Sequence, residues 1–242
     1  MKSTELAAQI EAFDSFWEGP EDVEKGYRTF YAFYRHNYLA RFPQDRGARV
    51  LVISCGPGYL VNLLELNGYT DVLGIDSDAG KIAHATAKGL NCRQERAFEF
   101  LQDQPDSFDV IFCEQEINHL TKAEIPVFLG IARSALRRGG ALFVHALNGA
   151  NPITGAEALA QNFDHYNTFT EYTMRQVLGH NGFERIEVFP LNLYVFWKNP
   201  LNYVLMAVSA LYTAFFRFSF LMYGKSNKIF TKKIGAVARR QP

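Results

Sequence analysis

The chain has 242 residues, 48% of them hydrophobic, and its 25 basic residues balance 25 acidic ones. That is enough apolar material for one domain with a full core and an appendage, and zero net charge excludes any whole-molecule attraction to a charged partner. The three cysteines, Cys55, Cys92 and Cys113, show neither paired nor metal-ligand spacing, so they read as buried free thiols in a reducing compartment and not as a disulfide framework or a metal site. The opening MKSTELAAQIEAFD is polar and mixed in charge, unlike a signal peptide. Residues 4 to about 40 predict helices. Leu6, Ile10, Phe13 and Trp17 recur at spacings of three and four, Gly19-Pro20 breaks the run, and Tyr27, Phe30, Tyr31, Tyr34 and Tyr38 make an aromatic stripe. Residues 1–45 are expected to form a helical cap. Most of the stripe should pack on the domain, with Tyr27 and Tyr31 as candidates to close over a ligand.

The rest is organised around Ala48 to Asp78. Val50 to Ile53 is a short β-branched run that reads as a buried strand. A tight turn follows, Cys55-Gly56-Pro57-Gly58, then Leu60, Val61, Leu63, Leu64 and Leu66 at helical spacing, with Gly68 as a stop. A second apolar run, Val72 to Ile75, ends in Asp76. Glycines let the backbone approach a bulky ligand, the helix start offers free N–H groups, and a carboxylate at the second strand's tip can accept both hydroxyls of a ribose. A nucleoside-containing cofactor is therefore expected at the carboxyl ends of parallel strands. The dinucleotide fingerprint is incomplete, because Val61 stands where a third glycine belongs.

VLVISCGPG resembles instead the first motif of the class I S-adenosylmethionine-dependent methyltransferases, and Asp76 falls where that family binds the ribose. The resemblance implies a Rossmann-like, doubly wound seven-stranded sheet and S-adenosylmethionine held by Ser54, Cys55, Gly56, Gly58, Asp76 and Ser77. Three residues depart from the family pattern: Val52 replaces an acid, Ser54 replaces a glycine, and Arg96 stands at the place of an acid after the third strand. Further along, Ala79 to Lys88 reads as a helix, Asn91 to Glu95 as a third strand, and Ala97 to Leu101 as a short helix. The resemblance makes Ala97 and Phe98 adenine neighbours, with Glu95 a weaker candidate. Phe108 to Cys113 is the fourth strand, and Glu114 and Gln115 after it are expected beside the cofactor. Asn118-His119-Leu120 resembles the family's Glu-His-Leu, and puts an imidazole at the ligand edge of the sheet, either as a base for a hydroxyl acceptor or as a loop cap.

Ile125 to Leu136 is the next helix, ended by Arg137-Arg138-Gly139-Gly140, and Ala141 to Leu147 the fifth strand. His145 inside that strand belongs to the core or just behind the site. Asn148 follows on the ligand side as a substrate-binding candidate. FDHYNTFTEYTMRQVLGHNGF resembles a segment of methyltransferases from bacterial polysaccharide and O-antigen clusters. It supplies Asp164, His165 and Tyr166 as substrate-facing candidates, His165 being the alternative base to His119. Thr170 is a helix N-cap and Gly182 a stop. Phe183 to Phe189 is the sixth strand and Ile229 to Ala238 the seventh.

Between these strands lies LNYVLMAVSALYTAFFRFSFLMY, Leu201 to Tyr223, long enough to span a bilayer but interrupted by Asn202 and Arg217. Pro190 to Pro242 carries eight basic residues and no acid, leaving 17 basic against 25 acidic in the remainder. Residues 192–226 are therefore expected to form an apolar helical insertion in a methyltransferase domain made of 46–191 plus 227–242. It would lie on an anionic membrane, or else pack on the domain or on a homodimer partner. Long aliphatic runs in residues 192–240 argue against nucleic acid. No metal is implied. The expected reaction is O-methylation of a sugar hydroxyl in glycan or polysaccharide biosynthesis, on an acceptor that could be lipid-linked. The expected location is cytoplasmic, peripheral on the inner face of the membrane. Methylation of a lipid or small natural product, and a non-catalytic scaffold of the same fold, are the alternatives.

Overall fold

Strand β1, Val50–Ile53, is buried at all four positions because helices cover both faces of the sheet it sits in. It pairs in parallel with β2, Val72–Asp76, on one side and with β4, Phe108–Glu114, on the other. Strand β3, Cys92–Gln94, adds beyond β2, and β5, Leu136–Leu147, beyond β4. Strand β7, Lys233–Arg240, runs antiparallel between β5 and β6, Phe183–Pro190, giving the order 3-2-1-4-5-7-6. This is the expected seven-stranded Rossmann-like sheet. In this computed structural model the described residues are 20–114, 116–160, 165–196 and 199–242. The helix expected over Leu6 to Trp17 lies outside them.

On one face of the sheet, helix α1, Pro20–Asn37, packs with α2, Tyr59–Leu66, and α3, Ala79–Ala87, over Val50, Val52, Val110, Phe112 and Phe143. On the other, α4, Ala97–Gln102, α6, Glu124–Ala135, and α8, Glu171–His180, pack over Leu51, Ile53, Ile111 and Val144. The short helices α5, Glu116–His119, and α7, Glu157–Ala160, cap the carboxyl edge. Helix α9, Leu201–Met222, is a single 22-residue helix leaving after β6 and returning to β7. The Thr170 cap forms as expected, its hydroxyl taking the Thr173 N–H while the Thr173 hydroxyl takes the Thr170 N–H.

Two strand boundaries differ from the sequence pattern. Strand β5 starts at Leu136 and not Ala141, because Leu136 already pairs with Phe108, and Arg137 to Gly140 bulge out, with Gly139 at φ +75°, before Ala141 pairs with Val110. Strand β7 starts at Lys233 and not Ile229. The carbonyls of Ile229 and Thr231 are taken by the Asn148 side chain at 3.1 and 2.8 Å, so ladder pairing begins only opposite Leu147.

Candidate active site

The carboxyl ends of β1, β2, β4 and β5 converge on the glycine turn. Gly56 and Gly58 adopt φ of +54° and +83°, conformations a side chain disfavours. Beyond Gly56 there is open space, whereas a Cβ on Gly58 would fall 2.7 Å from Leu90. Asp76 braces the turn. One carboxylate oxygen accepts the Gly56 N–H and the other the Asp78 N–H, each at 2.9 Å. A carboxylate has roughly four acceptor sites, so Asp76 retains one on each oxygen for a pair of ligand hydroxyls. Tyr27 braces the turn from above, donating its hydroxyl to the Pro57 carbonyl at 2.5 Å. Val52, standing where the family carries an acid, is fully buried under α1 in the cluster that also holds Tyr27 and Tyr34. The ordering of the loop thus comes from Asp76 and a tyrosine.

Ser54 holds φ +55°, an unusual backbone for a residue with a Cβ, and donates its hydroxyl to Glu116 at the head of α5. Burial raises the Glu116 carboxyl above the usual carboxylate range, and the nearby Asp76 charge adds to that. Glu114, at the tip of β4, accepts the Tyr34 hydroxyl. His145 Nδ1 lies 3.8 Å from Glu114, but burial, with Lys233 nearby, pushes the imidazole well down, so it is neutral.

Across the site, the stretch 165–170 is zipped to α5. Asn118 accepts the Leu147 N–H at 3.2 Å and donates to the Asn167 carbonyl at 2.6 Å, while Asn167 donates back to the Leu120 carbonyl. The Asn118 carbonyl takes the Tyr166 N–H at 2.8 Å. This zipper puts His119 and His165 edge to face, 4.9 Å between ring centres. His165 Nδ1 lies 2.7 Å from the Ala158 carbonyl, which can only accept. Nδ1 is therefore the donor of this bond.

The glycine turn lies at the carboxyl edge of a 3-2-1-4-5-7-6 sheet, and the comparisons name the family that carries such a domain. The profile of a family described as "Methyltransferase domain" matches residues 26–188. The chain belongs to this family. Among curated relatives, a ubiquinone biosynthesis O-methyltransferase of Xanthomonas euvesicatoria is 26% identical over 196 residues, 72% of this chain and 81% of that protein. One from Xylella fastidiosa is 28% identical over 142 residues, and there the match spans little more than half of either chain, 57% and 56%. Among solved structures, a SAM-dependent methyltransferase from Archaeoglobus fulgidus aligns over 88% of this chain and 94% of its own, with TM-score 0.65 and 16% identity. Phosphoethanolamine N-methyltransferase 2 of Haemonchus contortus, solved with phosphomonomethylethanolamine and S-adenosylhomocysteine, aligns over 96% of this chain and 61% of its own, with TM-score 0.62 and 15% identity. These structures speak to the fold.

The methyltransferase uses S-adenosylmethionine, and the residues present fit it. Gly56 opens onto free space, Asp76 keeps acceptors for two hydroxyls, and Ser77 stands exposed at the rim beside it. Ala97 is half-buried at the head of α4, close to Asp76 through the Glu95 N–H, which donates to the Asp76 carbonyl at 3.0 Å. Other candidates have their side chains engaged elsewhere. The Cys55 thiol points inward, since a Cβ on Gly74 would meet both Cys55 and Cys92 sulfurs, so only its backbone faces a ligand. Phe98 is buried against Phe128, 5.4 Å between ring centres, in the core below the site. Tyr27 spends its hydroxyl on Pro57. Tyr31 reaches Asn67, at the end of α2 remote from the glycine turn, because its place on α1 turns it along that helix. Asn148 is fully buried and spends its amide on Ile229 and Thr231 and its oxygen on the Ala150 N–H. Tyr166 is 57% exposed on the rim next to the histidines. Gln115 and Asp164 lie outside the described residues. Sequence reasoning missed Glu116, Tyr34 and the Asn118–Asn167 zipper. The run Glu114-Gln115-Glu116 was the available signal for the first of these, but a run does not say which acid turns inward.

Proposed function

We propose that this methyltransferase methylates a hydroxyl oxygen, with the His119–His165 pair taking the hydroxyl proton. The pair is the observation that carries the reading, because an oxygen acceptor needs a base and two imidazoles meet at the carboxyl edge of the sheet, on the side of the glycine turn. When bound, S-adenosylmethionine supplies a methyl already activated on a sulfonium. Asp76 holds the ribose hydroxyls, and Ser54 with Glu116 faces the amino-acid end. The protein's work is then alignment of the acceptor oxygen and acceptance of its proton at His165 Nε2, since Nδ1 is committed to the Ala158 carbonyl. A resulting imidazolium lies against the His119 ring.

For the acceptor we favour a sugar hydroxyl of a glycan, on the likeness of the stretch 163–183 to methyltransferases of polysaccharide clusters. The ubiquinone biosynthesis O-methyltransferases among the relatives favour a second reading, a hydroxyl of a small natural product. We place the enzyme in the cytoplasm. Calorimetric titration with S-adenosylmethionine and S-adenosylhomocysteine, with Asp76→Ala as control, comes first. Micromolar binding that weakens at least about a hundredfold in the variant supports the site. No binding by a well-folded protein sinks the enzyme reading in favour of a scaffold. With a turned-over acceptor found by screening glycans and phenols, removing the base, as in His165→Ala, should lower kcat by about 10² to 10⁴, while His165→Ala and His119→Ala leave cofactor affinity within about threefold. Unchanged kcat in both would remove the pair from the mechanism.

A further inference from the structure

Helix α9 is amphipathic in the wrong direction for a soluble domain. Its polar residues Asn202, Ser209, Thr213 and Ser219 are buried or half-buried against the protein, together with Phe216 and Phe220. Its outward face is made of Val204, Val208, Leu211, Phe215, Phe218 and Leu221, exposed by 41 to 71%. Among the described residues it is the one helix long and apolar enough to cross a membrane, and most of its apolar side chains are exposed. An apolar patch of this length has an occupant.

The helix does not stand off the domain as a span would. Near its start Asn202 is buried, and later Phe216 and Phe220 pack on Phe230, at 5.9 and 4.7 Å between ring centres. The chain leaving it is stitched down at once. Tyr172 Oη meets Ser226 Oγ at 2.6 Å, and the buried Glu171 carboxylate takes the N–H groups of Lys228 and Ile229 at 3.0 and 2.9 Å. Asn151 and Asn148 hold the carbonyls of Phe230 and Thr231. A 22-residue helix is about 33 Å long. With its start, its last turns and its return strap all on the protein, it lies along the domain. Its place is also fixed. Strand β6 runs parallel to β5, and β7 begins opposite Leu147, so the excursion leaves and returns at the carboxyl edge that carries the histidines. Among the described residues the exposed charges on it are Arg217, Lys225 and Lys228, and in the sequence no acid occurs between Glu187 and Pro242.

We infer that α9 docks flat on an anionic lipid leaflet, outward face down, turning the active-site edge toward the bilayer. Apolar face and uniformly basic border are the two attractions such a surface offers. Resting on the proposed O-methylation, the acceptor class follows: a hydroxyl carried on a lipid and presented from within the leaflet, with Tyr166 on the rim it passes.

The test is co-sedimentation of the full chain with vesicles of 30% phosphatidylglycerol in phosphatidylcholine, and with phosphatidylcholine alone. Binding is expected to the anionic vesicles. It should fall about fivefold for each cation removed in Lys225→Gln and Lys228→Gln, and at least about fiftyfold in Phe215→Glu/Phe218→Glu. Fluorophores placed at Phe218→Cys, Tyr166→Cys and Asp103→Cys, quenched by brominated lipid, read the orientation. Asp103 follows α4 at the opposite edge of the sheet. Quenching should be strong, intermediate and absent in that order. Equal quenching at Phe218 and Asp103, or a stable dimer by light scattering with no vesicle binding, would overturn the inference in favour of random insertion or a second copy. Cofactor titration on the same preparations keeps a failure of the enzyme reading separate, since docking is read without turnover.

Discussion

Helices α1 and α9 are both long and rich in aromatics, yet they treat them oppositely. On α1 and just beyond it, Tyr27, Phe33, Tyr34 and Tyr38 are 0 to 6% exposed, interlocked with Phe112, Phe143 and Tyr59. On α9, Tyr203, Tyr212, Phe215 and Phe218 are 51 to 77% exposed. Aromatic content does not separate them, and the helix with the fewer charges, α9 with Arg217 alone, is the more exposed. The difference lies in what each helix meets: α1 lies over a sheet face and α2, whereas α9 meets the domain only along a narrow, partly polar stripe. An apolar run in sequence therefore announces burial somewhere, in the protein's own core or in another phase.

The largest expected break in this comparison is a matched truncation. Phe33→Ala opens a cavity in the α1 core and should cost about 3 to 5 kcal/mol. Phe218→Ala on α9 should stay within about 0.5 kcal/mol in detergent-free buffer. Denaturant unfolding of both checks this, and equal costs would mean α9 is covered by protein in solution. Next, Tyr34→Phe removes the hydroxyl that Glu114 accepts and should cost about 1 to 3 kcal/mol, read by the same unfolding. A null result would show that the α1 stripe acts by packing alone.

Lys233 tests the boundary between the two regions, where the strap from α9 enters β7. Burial pushes its ammonium down to about 8 from an ordinary 10.5, against a partial counterpull from Glu114. Between those values the unfolded chain holds the proton and the folded chain does not, so stability rises with pH there, and the full penalty applies below about pH 8. Lys233→Met should raise Tm at pH 7, with the gain gone near pH 10.5, measured by thermal melts across that range. Smallest is Tyr38→Phe. The Tyr38 hydroxyl is fully buried without a hydrogen-bond partner among the described residues. Its removal should leave stability unchanged or raise it by up to about 1 kcal/mol. A loss would mean that the hydroxyl serves the nearby Glu114 cluster.

By itself the sequence determined the layered sheet, the glycine turn, Asp76 and the Thr170 cap. Each of these is written in local periodicity or in residue types that only one backbone conformation suits. The tertiary structure alone decided which candidates come together. His119 and His165 are 46 residues apart in sequence and meet because Asn118 and Asn167 zip two loops together. Asn148 and Tyr27, equally plausible by position, are spent on backbone carbonyls. The same holds for α9. Its long apolar run predicts a helix, but only the packing of Phe216 and Phe220 on Phe230 and the anchoring of Lys228 and Ile229 by Glu171 fix which face turns outward. Local propensity acts over a few residues, whereas the partner of a polar group or an apolar face is set by contacts between distant segments, which no short window of sequence contains.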